Sequence, residues 1–558
     1  MKKSKLGYWC FLLPSLLAFL IVELIPAATG LGYSLTDWNG ISGDVNFVGL
    51  KNYLEVFRSD PQFWRAFGFT AVFAVCAVIS VNLVGFCLAL LVTSKIKGTT
   101  LMRGVFFLPN LIGGILLGFT WQFIFVQAFE ALGKATGIAW LQGWLSDTAT
   151  SFVGLLIVVT WQLSGYMMVI YIAQLQNIPD NLLEAAEIDG ANSWQKLRSI
   201  TLPLVAPAFT VGLFLSLSNC FKLYDQNLAL TNGGPFDSTE MIALNIYNTA
   251  FRYNDLGLAQ AKAVIFLVIV AAIGQTERGG DVMTAKKIGR GLLTALGLVL
   301  AAFFISPILI LIVNSFKSLK DIYLDVLALP NRETFTASNY PQAYEKLDFF
   351  TSFGNSLAIT VSAIVLLLIF CSMAAWVLAR YKTKMSSFIF LLYAAATLIP
   401  FQCVMLPLIR FMDGLNLMNR PGLVFMYLGF GSSLSIILLH GFIKNVPVEL
   451  EEAARIDGCN MVQTFFLIVF PLLKTILITV AILNAMWLWN DFLLPQLVIN
   501  KPGWQTLPLK TFLFFGQFSK RWDLATAGLL MCMAPIVLFY LFCQKYIIKG
   551  VTEGAVKG

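Results

Sequence analysis

The feature that most restricts this chain is the recurrence, from one end to the other, of long apolar runs. Each is about 18 to 25 residues, the length a helix rising 1.5 Å per residue needs to cross a hydrocarbon layer of roughly 30 Å. Such runs fall near 8–33, 66–92, 104–126, 152–175, 202–221 and 258–274, and again near 288–314, 352–378, 387–409, 422–443, 472–494 and 523–546. With 58% hydrophobic and 12% charged residues over 558 positions, the chain has more apolar surface than a soluble core can hide. The expectation is an all-α polytopic membrane protein with about 12 transmembrane helices, since barrel strands are too short for runs of this length.

The first run follows Lys2, Lys3 and Lys5, but Ala27-Ala28-Thr29 is a poor cleavage site and more runs follow, so it reads as a retained helix. Basic clusters at Lys95/Lys97/Arg103, Arg278/Lys286/Lys287/Arg290, Arg380/Lys382/Lys384 and Lys545/Lys549 fall on one side if both termini are cytoplasmic, as the positive-inside rule requires. The net charge of +8 then reflects topology and is no sign of nucleic-acid binding. The nine cysteines form no Cys-x-x-Cys pair and read as buried thiols, and His440 has no companion that makes it a metal ligand or a base. No metal site, catalytic constellation or bound cofactor is expected. A phosphate loop of the form G-x-x-x-x-G-K-[ST] is missing from the sequence, so ATP hydrolysis is not this chain's own work.

Residues Pro179 to Pro203 realign on Pro447 to Pro471 at a constant offset of 268. Identities include Glu184-Ala185-Ala186 with Glu452-Ala453-Ala454 and Ile188-Asp189-Gly190 with Ile456-Asp457-Gly458. The chain therefore divides into two parallel six-span halves, 1–277 and 291–558, joined by a polar, basic cytoplasmic linker at 278–290. Met283 ahead of a basic stretch looks like the start of a once-separate protein, so the join is a natural fusion or an engineered one. Each repeated loop, 178–203 and 446–471, lies between the fourth and fifth spans of its half. A proline starts a short helix whose Leu182/Ala185/Ala186, or Leu450/Ala453/Ala454, share one face; Gly190 or Gly458 turns the chain into a second helix expected to end at Pro203 or Pro471. Small alanines beside a glutamate, pushed out of the membrane, suit the groove of a soluble partner.

These residues resemble the EAA loop of ABC importer permeases, E-A-A-x-x-x-G followed after nine residues by I-x-L-P. The pattern is complete from Glu184 to Pro203 and altered in the second copy only by Phe470 in place of leucine. The likeness covers nearly the whole chain and points to the maltose and multiple-sugar type. The first half is similar to one partner of such pairs through Thr36-Asp37-Trp38, Phe47 to Tyr53 and Leu230 to Pro235. The second half is similar to the other through Asn314-Ser315-Phe316-Lys317, Trp489 to Pro495 and the tail Gly550 to Gly558.

The resemblance implies a type I importer permease fold and an inner-membrane position. It also implies an extracytoplasmic sugar-binding protein and two copies of a cytoplasmic ATPase, which holds ATP and Mg and grips Glu184, Ala185, Ala186, Asp189, Gly190, Glu452, Ala453, Ala454, Asp457 and Gly458. Polar groups inside spans are costly and so mark a substrate pathway: Asn219, Lys222, Tyr224 and Asp225 in one half, Trp487, Trp489, Asn490 and Asp491 in the other. Lys222 and Asp225 are spaced to pair on one helical face, and aromatic faces beside amides suit a sugar. Glu23, inside the first run, has no role in the resemblance. A sugar phosphate such as glycerol phosphate is the alternative cargo, and a 6+6 secondary transporter the alternative class.

Overall fold

The computed structural model describes residues 5–40, 45–94, 97–276, 290–515 and 521–555. Residues 278–289 of the expected linker, Met283 among them, lie outside this set. Among the described residues there are helices and two isolated bridges, Thr36 with Phe47 and Lys317 with Phe335.

Among the described residues nine helices are long and apolar enough to cross a bilayer, and two further pairs, sharply bent at a short break, bring the number to eleven when each is counted as one span. In chain order they supply span 1 (Lys5–Tyr33), span 2 (Pro61–Thr93), span 4 (Thr148–Leu175), span 5 (Ser193–Phe221), span 8 (Phe349–Arg380) and span 10 (Arg420–Ile443) without a break in the helical path. Arg290–Ser315 is span 7 and Trp522–Ala555 span 12, while Leu256–Thr276 is a shorter apolar helix in the place of span 6. Caps explain several starts: the Asp60 carboxylate accepts the Phe63 N–H with Pro61 at the first helical position, and Asp147 accepts from Ala149 and Thr150.

Three sequence expectations are corrected. The run at 104–126 is not one helix: Thr99–Phe107 gives way to a 3-10 turn at Leu108–Leu111 and restarts as Gly114–Thr136, which together are span 3. Pro109 removes one donor there, and Gly113 is extended. Span 9 is likewise Lys384–Ala396 and Phe401–Gly414 meeting at 106°, with Pro400 at the break. Pro203 does not end its helix, whereas the helix through Pro471 stops one residue later, at Leu472. A π-turn at Leu197–Thr201 or Thr464–Val469 precedes each proline and widens the register, so its missing N–H and its ring are accommodated. Span 5 runs straight through, whereas span 11 bends by 77° between Met461–Leu472 and Lys474–Asn490.

The two halves are not separate bundles. Span 1 packs into the second half, where Phe11, Phe19 and Val22 share a core with Trp376, Tyr393 and Tyr427. Tyr8 Oη lies 3.0 Å from Ser386 Oγ, and Ser15 Oγ 3.2 Å from Tyr393 Oη. In return span 7 packs on the first half: Phe304 and Leu311 join the core of Phe106 and Trp161, and the Trp161 indole donates to the Phe304 carbonyl. Each half lends its first helix to the other, an exchange that apolar periodicity alone does not specify.

A second repeat fixes the segment after each lent helix. Asn52 Nδ2 donates to the Ser34 and Thr36 carbonyls while Tyr53 Oη meets Ser34 Oγ at 2.7 Å. Asn339 Nδ2 donates to the Ser315 and Lys317 carbonyls while Tyr340 Oη meets Ser315 Oγ at 2.8 Å. Both Asn-Tyr pairs sit at the start of short helices, Lys51–Arg58 and Asn339–Lys346, and satisfy carbonyls the span ends leave open.

Candidate docking loops and translocation cavity

The repeated loops fold alike because the same local chemistry recurs. In each, the N–H two residues past the helix end bonds back six-to-one, Ala191 to the Ala186 carbonyl and Cys459 to the Ala454 carbonyl. The glycine N–H bonds five-to-two, Gly190 to Glu187 and Gly458 to Arg455. This Schellman closure needs the left-handed backbone that Gly190 adopts at φ +77° and Gly458 at φ +86°. Asn192 with Gln195, and Asn460 with Gln463, then form capping boxes that launch the second helix.

The faces singled out from sequence are largely uncovered. Glu184, Ala185, Asp189, Gly190, Glu452, Ala453, Asp457 and Gly458 are exposed, Ala186 is half-buried, and Ala454 is buried. Ile188 and Ile456 are 86% and 87% exposed, an apolar knob at the same point of both copies. Sequence reasoning passed over these two isoleucines, although they belong to the repeated identity. The copies differ in their attachment. Glu451, one residue before Glu452, is buried against span 8, where Arg380 Nε donates at 2.7 Å and Trp376 Nε1 at 3.1 Å. The first copy has Leu183 at that register, and among the described residues no such ionic tie joins its short helix Asp180–Ile188 to span 2.

Between the halves lies a cavity of about 660 Å³. Seven of the eight pathway candidates line it: Asn219, Lys222, Tyr224 and Asp225 from the first half, and Trp487, Asn490 and Asp491 from the second. Trp489 does not; it is buried and meets Phe353 edge-on at 5.7 Å. The expected Lys222–Asp225 pairing on one helix face is also overturned. Span 5 ends at Phe221 and Asp225 opens a new short helix, so the i, i+3 spacing does not lie on one helix, and the Lys222 ammonium donates instead to the Thr397 carbonyl at 2.9 Å.

Asp491 accepts from Tyr427 Oη at 2.9 Å. The wall also carries groups not anticipated: Gln162 and Gln226, joined at 2.6 Å, together with Asn110, Gln402 and Tyr166. Gln162 and Gln402 stand inside apolar runs, which is the signal that could have found them. Glu23 is buried on a π-turn at Leu20–Leu24 and accepts from Ser433 of the other half at 3.3 Å. Chemically the cavity offers amides, phenols, an indole and two carboxylates against one ammonium, a wall of both hydrogen-bond donors and acceptors beside aromatic faces.

Comparison with known proteins gives this geometry a family. Residues 85–276 and again 371–553 match the family described as binding-protein-dependent transport system inner membrane component. The chain is 55% identical over 271 residues to the probable starch degradation products transport system permease protein AmyD of Thermoanaerobacterium thermosulfurigenes, covering 49% of this chain and 92% of that protein. It is 46% identical over 266 residues to AmyC of the same organism, described likewise, covering 48% and 96%. The multiple sugar-binding transport system permease protein MsmF of Streptococcus mutans is 33% identical over 271 residues, covering 48% and 93%. A solved bacterial ABC transporter involved in the import of the acidic polysaccharide alginate aligns at 22% identity and a TM-score of 0.40, over 47% of this chain and 99% of that one. With one family matched twice over more than half of its length, this chain belongs to the binding-protein-dependent transport system inner membrane components and carries two such permease units in a single polypeptide.

Proposed function

We propose that this chain supplies both permease units of an ATP-driven importer for an oligosaccharide, with both termini and both repeated loops in the cytoplasm. The observation that carries the reading is the pair of loops: two copies of one capped helix-turn-helix, each presenting Glu, Ala and a bare isoleucine where its own bundle leaves them uncovered. A surface kept twice in register suits two copies of one soluble ATPase, which brings ATP and Mg. The sugar arrives from an extracytoplasmic binding protein, as the family description implies. On this reading the chain is a conduit, not an enzyme.

The relatives' names refer to starch degradation products and multiple sugars, and the cavity suits such cargo. Trp487, Tyr166, Phe401 and Phe430 offer faces to the C–H side of a sugar ring, and the amides bond its hydroxyls. A sugar phosphate is disfavoured because the only lysine of the wall is engaged by Thr397 and stands among two carboxylates. The test is purification of the tagged chain from its own membrane. An ATPase is expected to come with it and to be lost when Glu184 and Glu452 are both changed to lysine; no ATPase with the parent chain after crosslinking overturns the reading in favour of a secondary transporter.

A further inference from the structure

Lys222 and Asn490 are separated by 268 residues, the offset of the repeated loops, and so occupy one position of the duplicated unit. Each terminates the fifth span of its half: Lys222 caps Ser193–Phe221, and Asn490 is the last residue of Lys474–Asn490. Each then reaches across the cavity to the interruption in the other half's third span. Lys222 Nζ donates to the Thr397 carbonyl, at the end of Lys384–Ala396. Asn490 Nδ2 donates to the Leu111 carbonyl at 2.7 Å, and its Oδ1 accepts the Gly113 N–H at 3.0 Å.

The two side chains differ because the breaks differ. A helix C-terminus offers only open carbonyls and the negative end of its dipole, which suits an ammonium. The break at Leu108–Gly113 offers a carbonyl and an N–H two residues apart, which suits an amide that donates and accepts. Gly113 is fitted to its partner: a Cβ there would stand 2.9 Å from Asn490 Cβ and 3.0 Å from the Asn490 carbonyl oxygen.

We propose that Lys222 and Asn490 are crosswise latches, positioning residues that hold the two broken third spans shut over the cavity and release them together when the repeated loops are moved. The inference rests on the importer reading. The fifth spans are the connection: span 5 is a continuous helix of 29 residues from the loop's capping box to the latch, and at 1.5 Å per residue that is a rod of about 43 Å. A tilt imposed at the first loop arrives at the second half's break along this rod; in the second half the path from the loop to Asn490 turns by 77° between Leu472 and Lys474, so that loop acts through Lys474–Asn490.

The test needs only this chain in its own membrane. Leu215→Cys, on the cavity wall, reports access to a charged methanethiosulfonate added from outside, with labelling of the otherwise identical chain lacking that cysteine subtracted. Lys222→Met is expected to raise the labelling rate about tenfold or more, the factor for a charge-assisted hydrogen bond, and Asn490→Leu about fivefold, the factor for one neutral hydrogen bond. Gly113→Ala, which displaces Asn490 without altering it, is expected to do the same. Lys222→Gln keeps a neutral donor toward Thr397 and is expected to label at a rate between those of the parent and Lys222→Met. Parent-like rates in Lys222→Met, Asn490→Leu and Gly113→Ala overturn the proposal, as does a Lys222→Gln chain that labels as fast as Lys222→Met. Membrane level and thermal unfolding are followed for every variant, and Asn490→Asp, which keeps bulk and loses the donor, replaces any that does not fold. A chain that purifies without an ATPase overturns the importer reading and leaves the labelling result intact, so the two failures are told apart.

Discussion

Trp487 and Trp489 are two positions apart in one helix, yet one lines the cavity at 42% exposure and the other is buried against Phe353. Sequence could say that tryptophan at a span end is worth notice; it could not say which way each pointed, because that depends on the packing of span 8. On the proposed oligosaccharide reading, Trp487→Ala is expected to weaken uptake of a radiolabelled starch hydrolysate about two- to tenfold, the range for one aromatic contact, as a rise in half-saturating concentration measured in cells. Trp489→Phe is expected to leave that concentration unchanged. At the loops, Gly190→Ala with Gly458→Ala forces a side chain into the left-handed region at a cost of roughly 1–2 kcal/mol at each site. The chain should reach the membrane at normal level and lose transport; normal uptake in the double variant would refute the docking account.

The first short helix of the second repeated loop, Val448–Ile456, is bolted to span 8 by a carboxylate that is almost wholly buried, while Arg380 keeps some contact with solvent. Removing one partner of such a pair costs more than the pair is worth, because it strands the other charge. Glu451→Ala is therefore expected to lower thermal stability by up to about 3–5 kcal/mol, and Glu451→Ala with Arg380→Met by less than the sum of the singles, a double-mutant cycle read by intrinsic fluorescence during heating. A second buried pair, Lys262 with Asp60 at 2.7 Å, bonded also to Asn245 and Thr249, holds span 6 to the start of span 2. Asp60→Ala is expected to destabilise on the same scale. Neither pair was legible in the sequence, where Lys262 and Glu451 were single charges in polar or apolar surroundings with partners far along the chain.

For the molecule as a whole, the apolar runs signalled the membrane helices, although twelve were expected and nine, or eleven counting each bent pair as one, are long and apolar enough among the described residues. The breaks in spans 3 and 9 were signalled only by Pro109, Gly113-Gly114 and Pro400, which a hydropathy reading averages away. The Asn-Tyr ties escaped notice because their spacing differs, 18 residues from Ser34 to Asn52 but 24 from Ser315 to Asn339. The exchange of first spans left no mark at all in either half's own pattern. It predicts that a protease site placed between residues 280 and 285 can be cut without separating the halves, which should elute together from gel filtration in mild detergent.

The same exchange sets an order on synthesis. Tyr8 and Ser15 meet partners 378 residues downstream. At about 5–20 residues per second, the first helix stands in the lipid for roughly 20 to 75 s before the surface it fits has been made. Until then Ser15 and Glu23 lack the Tyr393 and Ser433 partners they have in the fold, so the first helix is settled only when about three-quarters of the 558 residues have been made, and whatever escorts nascent membrane proteins must attend to it until then.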